Sequence, residues 1–156
     1  MSNPLLPKNP YQAPLHPINS TKKIYTKGWI LFGTYLGGPL AGGYYVSKNF
    51  ETFGQQNYAD KALKIGIVAT IAFFGLFAFI PPSITSKVPN FIIPICYLAI
   101  LSNYLGKYQD KMLETHLKNG GEKYSGWKVF CIAVACLVIS LAFFFTLLLA
   151  LPMSIL

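Results

Sequence analysis

The fold depends on an eleven-residue apolar stretch, Gly33-Thr34-Tyr35-Leu36-Gly37-Gly38-Pro39-Leu40-Ala41-Gly42-Gly43. Glycine and proline are the strongest helix breakers, and this stretch holds five glycines and one proline. Glycines four residues apart, as at Gly33 and Gly37, would let another helix approach closely inside a membrane. The same spacing recurs at Gly38 and Gly42. Alternatively, the helix breaks at Gly37-Gly38-Pro39 and the chain turns back, which membranes tolerate where protein or water covers the freed backbone groups.

We therefore expect this stretch to supply the helix-packing or helix-breaking residues, namely Gly33, Gly37, Gly38, Pro39, Gly42 and Gly43. Aromatic rings favour the headgroup level of a bilayer, and those expected as interfacial anchors are Trp29, Tyr44, Tyr45 and Trp127.

The composition is that of a membrane protein. Of 156 residues, 53% are hydrophobic and 12% charged, which is wrong for a soluble domain of this size. Residues 65–86, 88–106 and 129–156 carry no charged residue or histidine, and each run reaches the roughly 20 apolar residues that cross a bilayer. Residues 28–47 form a fourth uncharged run, which contains the glycines. The sequence predicts an all-α polytopic membrane protein with three transmembrane helices, plus a fourth glycine- and proline-rich segment that spans or is re-entrant.

The predicted boundaries follow from proline and glycine. Five prolines at three- and four-residue intervals make residues 1–26 a flexible, extended tail. Residues 27–156 form one helical membrane domain. Its predicted parts are the glycine-rich segment 27–54 and helices over 58–82, 88–118 and 126–152.

The net charge of +8 comes from lysine alone, since all 13 basic residues are lysines. Nucleic-acid binding is not expected, because specific recognition of phosphates and bases relies on the bidentate guanidinium group of arginine. Lysines collect in cytoplasmic loops. If residues 28–47 span the membrane, eight lysines lie inside and five outside. If that segment enters and leaves on one side, twelve lie inside and only Lys87 outside, which favours a re-entrant segment.

The sequence contains few candidates for chemistry. Cys96, Cys131 and Cys136 fall inside predicted spans, where cysteine mostly behaves as a small hydrophobe. Asp110 and Glu114 are spaced i,i+4, as a cation site could be, but lysines lie one turn away and favour a solvated salt-bridged face.

The third candidate for chemistry is His116, which has no companion at metal-ligand spacing. We expect it at the headgroup boundary beside apolar neighbours. We predict no enzymatic activity, no metal and no cofactor.

A resemblance adds one expectation. Residues 35–44, with Ser47-Lys48-Asn49-Phe50 and Phe53-Gly54, resemble a loose set of small bacterial multipass membrane proteins with a GGPLAG-type first segment. The resemblance implies a bacterial inner-membrane location and carries no mechanism. The lysine-rich loops would then be cytoplasmic.

The function that remains is non-catalytic. We expect an integral membrane protein that acts through helix packing and partner binding, as an accessory or assembly subunit or an immunity-type protein. Its partners would be the lipid bilayer and a protein partner or further copies of itself. The alternative is an oligomeric channel or small transporter that uses the broken glycine-rich segment.

Overall fold

A computed structural model describes residues 22–79 and 92–150 of the chain. The predicted all-helical class is confirmed, because these residues form helices and loops with a single isolated β-bridge, between Ile24 and Lys123. The helices are α1 (Lys27–Thr52), α2 (Gln56–Phe79), α3 (Ile92–Tyr108), α4 (Asp110–Lys118) and α5 (Gly126–Ala150).

The first helix, α1, turns back on itself. Gly38 has φ 73° and ψ −171°, whereas helical geometry continues on both sides of it. The Asn49 side chain hydrogen-bonds to the backbone N and O of Tyr25, both at 2.8 Å. In a straight helix those two residues would lie about 36 Å apart. The element is therefore a helical hairpin, with halves α1a (27–37) and α1b (39–52), and both of its ends lie at one end of the molecule.

Small residues let the hairpin close and let its neighbours approach. A Cβ atom on Gly33 would lie 2.5 Å from the Tyr45 ring, so the two halves meet there. A Cβ on Gly37 would lie 2.7 Å from the carbonyl oxygen of Ala133 in α5. A Cβ on Gly43 would lie 2.7 Å from Cα of Gly66 in α2. The hairpin is thus held between α2 and α5.

One described helix is long and apolar enough to cross a membrane, over Gly126–Leu149. Few of its residues are buried, and apolar side chains are exposed around it. The predicted ends of α2 at residue 82 and of α5 at residue 152, together with most of the tail, lie outside the described residues.

Two predicted boundaries are corrected. The single helix expected over 88–118 is two helices, because the backbone leaves helical geometry at Gln109 (φ −122°, ψ −28°). The buried Gln109 side chain donates to the carbonyl oxygen of Val46 at 3.0 Å, which ties this break to α1b. The flexible tail was expected to run to residue 26, yet Ile24 and Tyr25 are 0% and 2% exposed. Ile24 and Tyr25 therefore belong to the core, whereas Lys22 and Lys23 beside them are exposed.

Candidate functional site

The ends of the hairpin, α4 and the start of α5 meet in what we call the polar end. The backbone N of Ile24 donates to the carbonyl oxygen of Glu122 at 3.0 Å, and the N of Tyr124 donates to the oxygen of Ile24 at 2.9 Å. These two bonds hold the segment before α1 against the segment before α5. The ion pairs of the polar end are Lys23–Glu122 at 2.9 Å, Lys27–Asp110 at 2.7 Å and Lys48–Glu51 at 2.7 Å.

Those ion pairs are partly exposed, so each contributes little to stability. The hydrogen bond from Lys23 holds the pKa of Glu122 below its usual value and raises that of Lys23. Asn49 has a stronger structural role, since it is fully buried and satisfies two backbone groups of Tyr25. A buried amide without such partners would be costly.

A cluster of tyrosines surrounds that contact. The ring of Tyr25 lies 4.4 Å from that of Tyr124 and 4.9 Å from that of Tyr45, between centroids. Burial raises the pKa of the Tyr25 hydroxyl above its usual value. Tyr45 was expected to anchor α1 at the membrane interface, but it is fully buried and its hydroxyl donates to the carbonyl oxygen of Val129 at 2.7 Å. Its hydroxyl is satisfied inside the protein, so headgroups are not needed.

The other expected anchors differ in exposure. Trp127 is 74% exposed at the start of α5. Trp29 and Tyr44 are half-buried, and a Cβ on Gly126 would meet the Trp29 ring.

His116 is buried rather than placed at an open boundary, with 1% of its surface exposed. Its Nε2 lies 2.9 Å from the carbonyl oxygen of Lys22. A carbonyl oxygen only accepts, so Nε2 carries the proton of that bond. Within the described residues Nδ1 has no partner. The histidine thus holds the segment before α1 on α4, with the Phe53 ring edge-on at 6.0 Å.

The two acids of α4 are separated by their partners. Asp110 pairs with Lys27, and Glu114 pairs with Lys118 at 2.8 Å, which lowers the pKa of Glu114. Within the described ranges 22–79 and 92–150, no group of three or more metal-ligating side chains could hold an ion. Cys96 and Cys131 are exposed and Cys136 is buried, all as free thiols.

Two cavities border the hairpin. The first, which we call the polar cavity, has a volume of about 310 Å³ at the polar end. It is lined by Lys22, Tyr25, Tyr44, Lys48, Glu51, Thr52, Tyr124 and Lys128.

The second cavity, the apolar groove, has a volume of about 480 Å³ between α1b, α2 and α3. Its lining includes Gly42, Gly43, Gly66, Ala62, Ala69, Ile100 and Leu101. Tyr97 lies in it, with its hydroxyl 3.4 Å and 3.5 Å from the carbonyl oxygens of Thr34 and Tyr35. Pro39 has no N–H to offer the carbonyl of Tyr35. Tyr97 therefore sits where the hairpin turn frees backbone oxygens.

The predicted glycines and Pro39 thus lie at the hairpin turn and at the contacts with α2 and α5. Sequence reasoning missed Asn49, Tyr97 and Gln109, which hold the hairpin to its surroundings. For Asn49 and Gln109 the available signal was the amide side chain, since a buried amide needs an internal partner.

No family model, curated protein or solved structure matches this chain.

Proposed function

We propose that the chain is a polytopic membrane protein in which the α1 hairpin is re-entrant and α2, α3 and α5 span the bilayer. The observation that carries this proposal is the reversal at Gly38. The hairpin halves of 11 and 14 residues reach about 16 and 21 Å, short of the roughly 30 Å hydrocarbon core. Both ends of the hairpin lie with the lysine-rich loops, which agrees with the distribution of twelve lysines against one.

The exposed apolar surface supports the same arrangement. Large apolar side chains project from α2, α3 and α5, where a soluble protein would carry polar ones. Exposed examples are Ile65, Val68, Ile100, Val138, Phe145 and Leu149. Lipid would cover them, and the polar end would face the cytoplasm of a bacterial inner membrane.

Within that membrane, the protein acts by binding rather than by catalysis. Each of the chain's five carboxylates already has a lysine or glutamine partner. The apolar groove instead presents small, at least partly exposed residues of α2, namely Ala69 and Ala72. Small residues let a second helix approach closely in lipid. The occupant we propose is a transmembrane helix of another protein, which makes this chain an accessory subunit.

A second function has one observation in its favour. The turn at Gly38 and Pro39 frees carbonyl oxygens that Tyr97 meets at 3.4 and 3.5 Å, and freed carbonyls are a common lining of transport pathways. An oligomeric channel or small transporter is therefore the alternative. The groove around these oxygens is almost wholly apolar, which favours helix binding.

Cysteine accessibility tests the topology. In a variant with the native cysteines replaced, single cysteines at Gly28, Asn57 and Asn119 should all react with an impermeant thiol reagent from the cytoplasmic side only. A cysteine at Lys87, between α2 and α3, should react from the opposite side. Reaction of the Gly28 and Asn57 positions from opposite sides would show that α1 spans and would overturn the proposal.

Photocrosslinking in native membranes tests the occupant. A crosslinking residue at Ile100, which is 72% exposed in the groove, should yield adducts that map to a transmembrane peptide of another protein. The matched control is Val138 on α5, exposed outside the groove, which should react with lipid. Adducts to lipid alone or to a second copy of this chain at Ile100 would contradict a partner helix.

A further inference from the structure

We infer that the polar cavity binds the phosphate of an anionic phospholipid headgroup, an inference that rests on the membrane insertion proposed above. The cavity, of about 310 Å³, opens between the segment before α1, the end of α1b and the first turn of α5. No feature of the hairpin or the apolar groove requires it.

The charge of the cavity favours an anion. Three lysines and one glutamate line it, which leaves a net charge of +2. Glu51 is paired with Lys48 at 2.7 Å. Among the described residues, Lys22 and Lys128 have no carboxylate partner, and both are exposed. Two unneutralised ammonium groups beside one cavity attract phosphate, and basic pockets between membrane helices are known to bind lipid headgroups.

The tyrosines of the cavity add hydrogen-bond donors and fix the position of one lysine. Tyr25, Tyr44 and Tyr124 all line it, and a phenolic hydroxyl can donate to a phosphate or glycerol oxygen. The Lys128 ammonium lies 4.0 Å from the centroid of the Tyr124 ring. This cation–π contact holds the charge at the cavity.

The depth of the cavity indicates a lipid rather than a soluble phosphate. Lys128 lies in the first turn of α5, beside the exposed Trp127, whose ring favours the headgroup level. From Phe130 onward α5 exposes apolar side chains over much of its circumference. A lipid whose phosphate lies in the cavity would place its acyl chains beside this apolar surface. Free phosphate would gain no such apolar contact.

Native mass spectrometry of the full chain tests this inference. The purified protein in detergent is offered equal amounts of phosphatidylglycerol and phosphatidylcholine. Wild type should retain phosphatidylglycerol preferentially. Lys22→Gln with Lys128→Gln should weaken that binding by roughly tenfold or more, because both lysines beside the anionic headgroup contribute to its binding.

The matched control loses the same charge elsewhere. Lys64→Gln with Lys111→Gln removes two exposed lysines that do not line the cavity and should leave phosphatidylglycerol binding within about twofold of wild type, since distant exposed charges are screened. Equal loss in both double variants would mean a general charge effect and would overturn the site. Tyr44→Phe removes one hydroxyl without charge and should weaken binding by a few-fold, which tests the cavity if the lysine variant folds poorly.

Two further experiments complete the test. The first distinguishes a lipid from a soluble phosphate, and the second distinguishes failure of the lipid site from failure of the proposed membrane architecture. Excess inorganic phosphate should displace little lipid, whereas full displacement, or binding of phosphate alone, would assign the cavity to a soluble anion and overturn the lipid. Extraction of membranes with alkaline carbonate reports insertion independently. A chain that is extracted refutes the proposed membrane architecture, whereas a chain that stays inserted yet shows no preference for phosphatidylglycerol refutes only the lipid site.

Discussion

At the scale of single residues, Gly38 determines the path of the chain. Its φ of 73° with ψ of −171° lies in a region that essentially only glycine occupies. The space around it is open, with no atom within 4 Å of a Cβ built there. The constraint is therefore conformational and not steric. Pro39, at the first position of α1b, suits a helix start, where its missing N–H does little harm.

Replacement of Gly38 should destabilise the protein without a clash. Gly38→Ala is expected to lower the free energy of unfolding by about 1–3 kcal/mol, the cost of holding an L-residue in that region. Gly75→Ala is the matched control, because Gly75 lies inside α2 with open space around its Cβ position and no positive φ. Alanine there should raise stability by about 0.5–1 kcal/mol. Denaturant unfolding in detergent measures both, and equal effects would mean that the turn does not depend on glycine.

Asn49 is the second residue whose chemistry is specific. Asn49→Ala would leave the buried N and O of Tyr25 without the Asn49 partner, so we expect a loss of about 2–6 kcal/mol, from the cost of about 1–3 kcal/mol for each of the two unsatisfied groups. Asn57→Ala, at an exposed position in the first turn of α2, should change stability by less than about 0.5 kcal/mol. A thermal shift of equal size in both variants would show that the Asn49 bonds do not hold the hairpin.

At the scale of elements, backbone contact joins the hairpin to α2. A Cβ on Gly43 would lie 2.7 Å from Cα of Gly66 and 2.9 Å from the carbonyl oxygen of Ala62. Both atoms belong to the backbone, which cannot rotate away as a side chain could.

Gly43→Ala should therefore separate α1b from α2, at a cost of about 1–3 kcal/mol for an overpacked contact. Gly28→Ala provides the control, since no atom lies within 4 Å of its Cβ position near the start of α1a. A disulfide crosslink engineered between α1b and α2 should form less efficiently in the Gly43 variant and normally in the Gly28 variant. Unchanged crosslinking and stability would show that an added methyl group fits between the two helices.

Features defined by neighbouring residues could be predicted from the sequence, whereas features defined by contacts between distant residues could not. The all-helical class and the position of the break follow from local chemistry, namely apolar runs and the Gly37-Gly38-Pro39 triplet. The choice between a packed helix and a turn stayed open because both use glycine. The break at Gln109 was missed because the contact made there, a hydrogen bond to Val46, comes from a distant part of the chain. Burial of Tyr45 was missed for the same reason, since its partner is Val129.

At the scale of the whole molecule, the polar end joins segments from opposite halves of the chain. Residues near Ile24 bond to residues near Tyr124 and to Asn49. The sequence predicted a flexible tail over residues 1–26 because that segment holds five prolines. All five come before Ile24, so they give no information on Ile24 and Tyr25, which are apolar. Their partners are far away in sequence and give no local signal.

Hydrogen exchange should reveal this junction. The amides of Ile24, Tyr25 and Tyr124 should exchange slowly, because each donates to an acceptor inside the protein. The amide of Lys123, which has no acceptor among the described residues, should exchange much faster. Asn49→Ala should speed exchange at Tyr25 specifically, since it removes that acceptor. Fast exchange at all four amides in wild type would contradict a docked amino-terminal segment.

The hairpin also imposes an order on synthesis. Gly37 lies against Ala133, and Tyr45 donates to Val129, so the turn is completed by a helix that leaves the ribosome after most of the chain. Until then the tip of the hairpin lacks its contact with α5, and Tyr97 lies beside its freed carbonyls. A ribosome stalled before residue 129 should therefore hold a nascent chain whose hairpin is still accessible to protease. Release of α5 would close it.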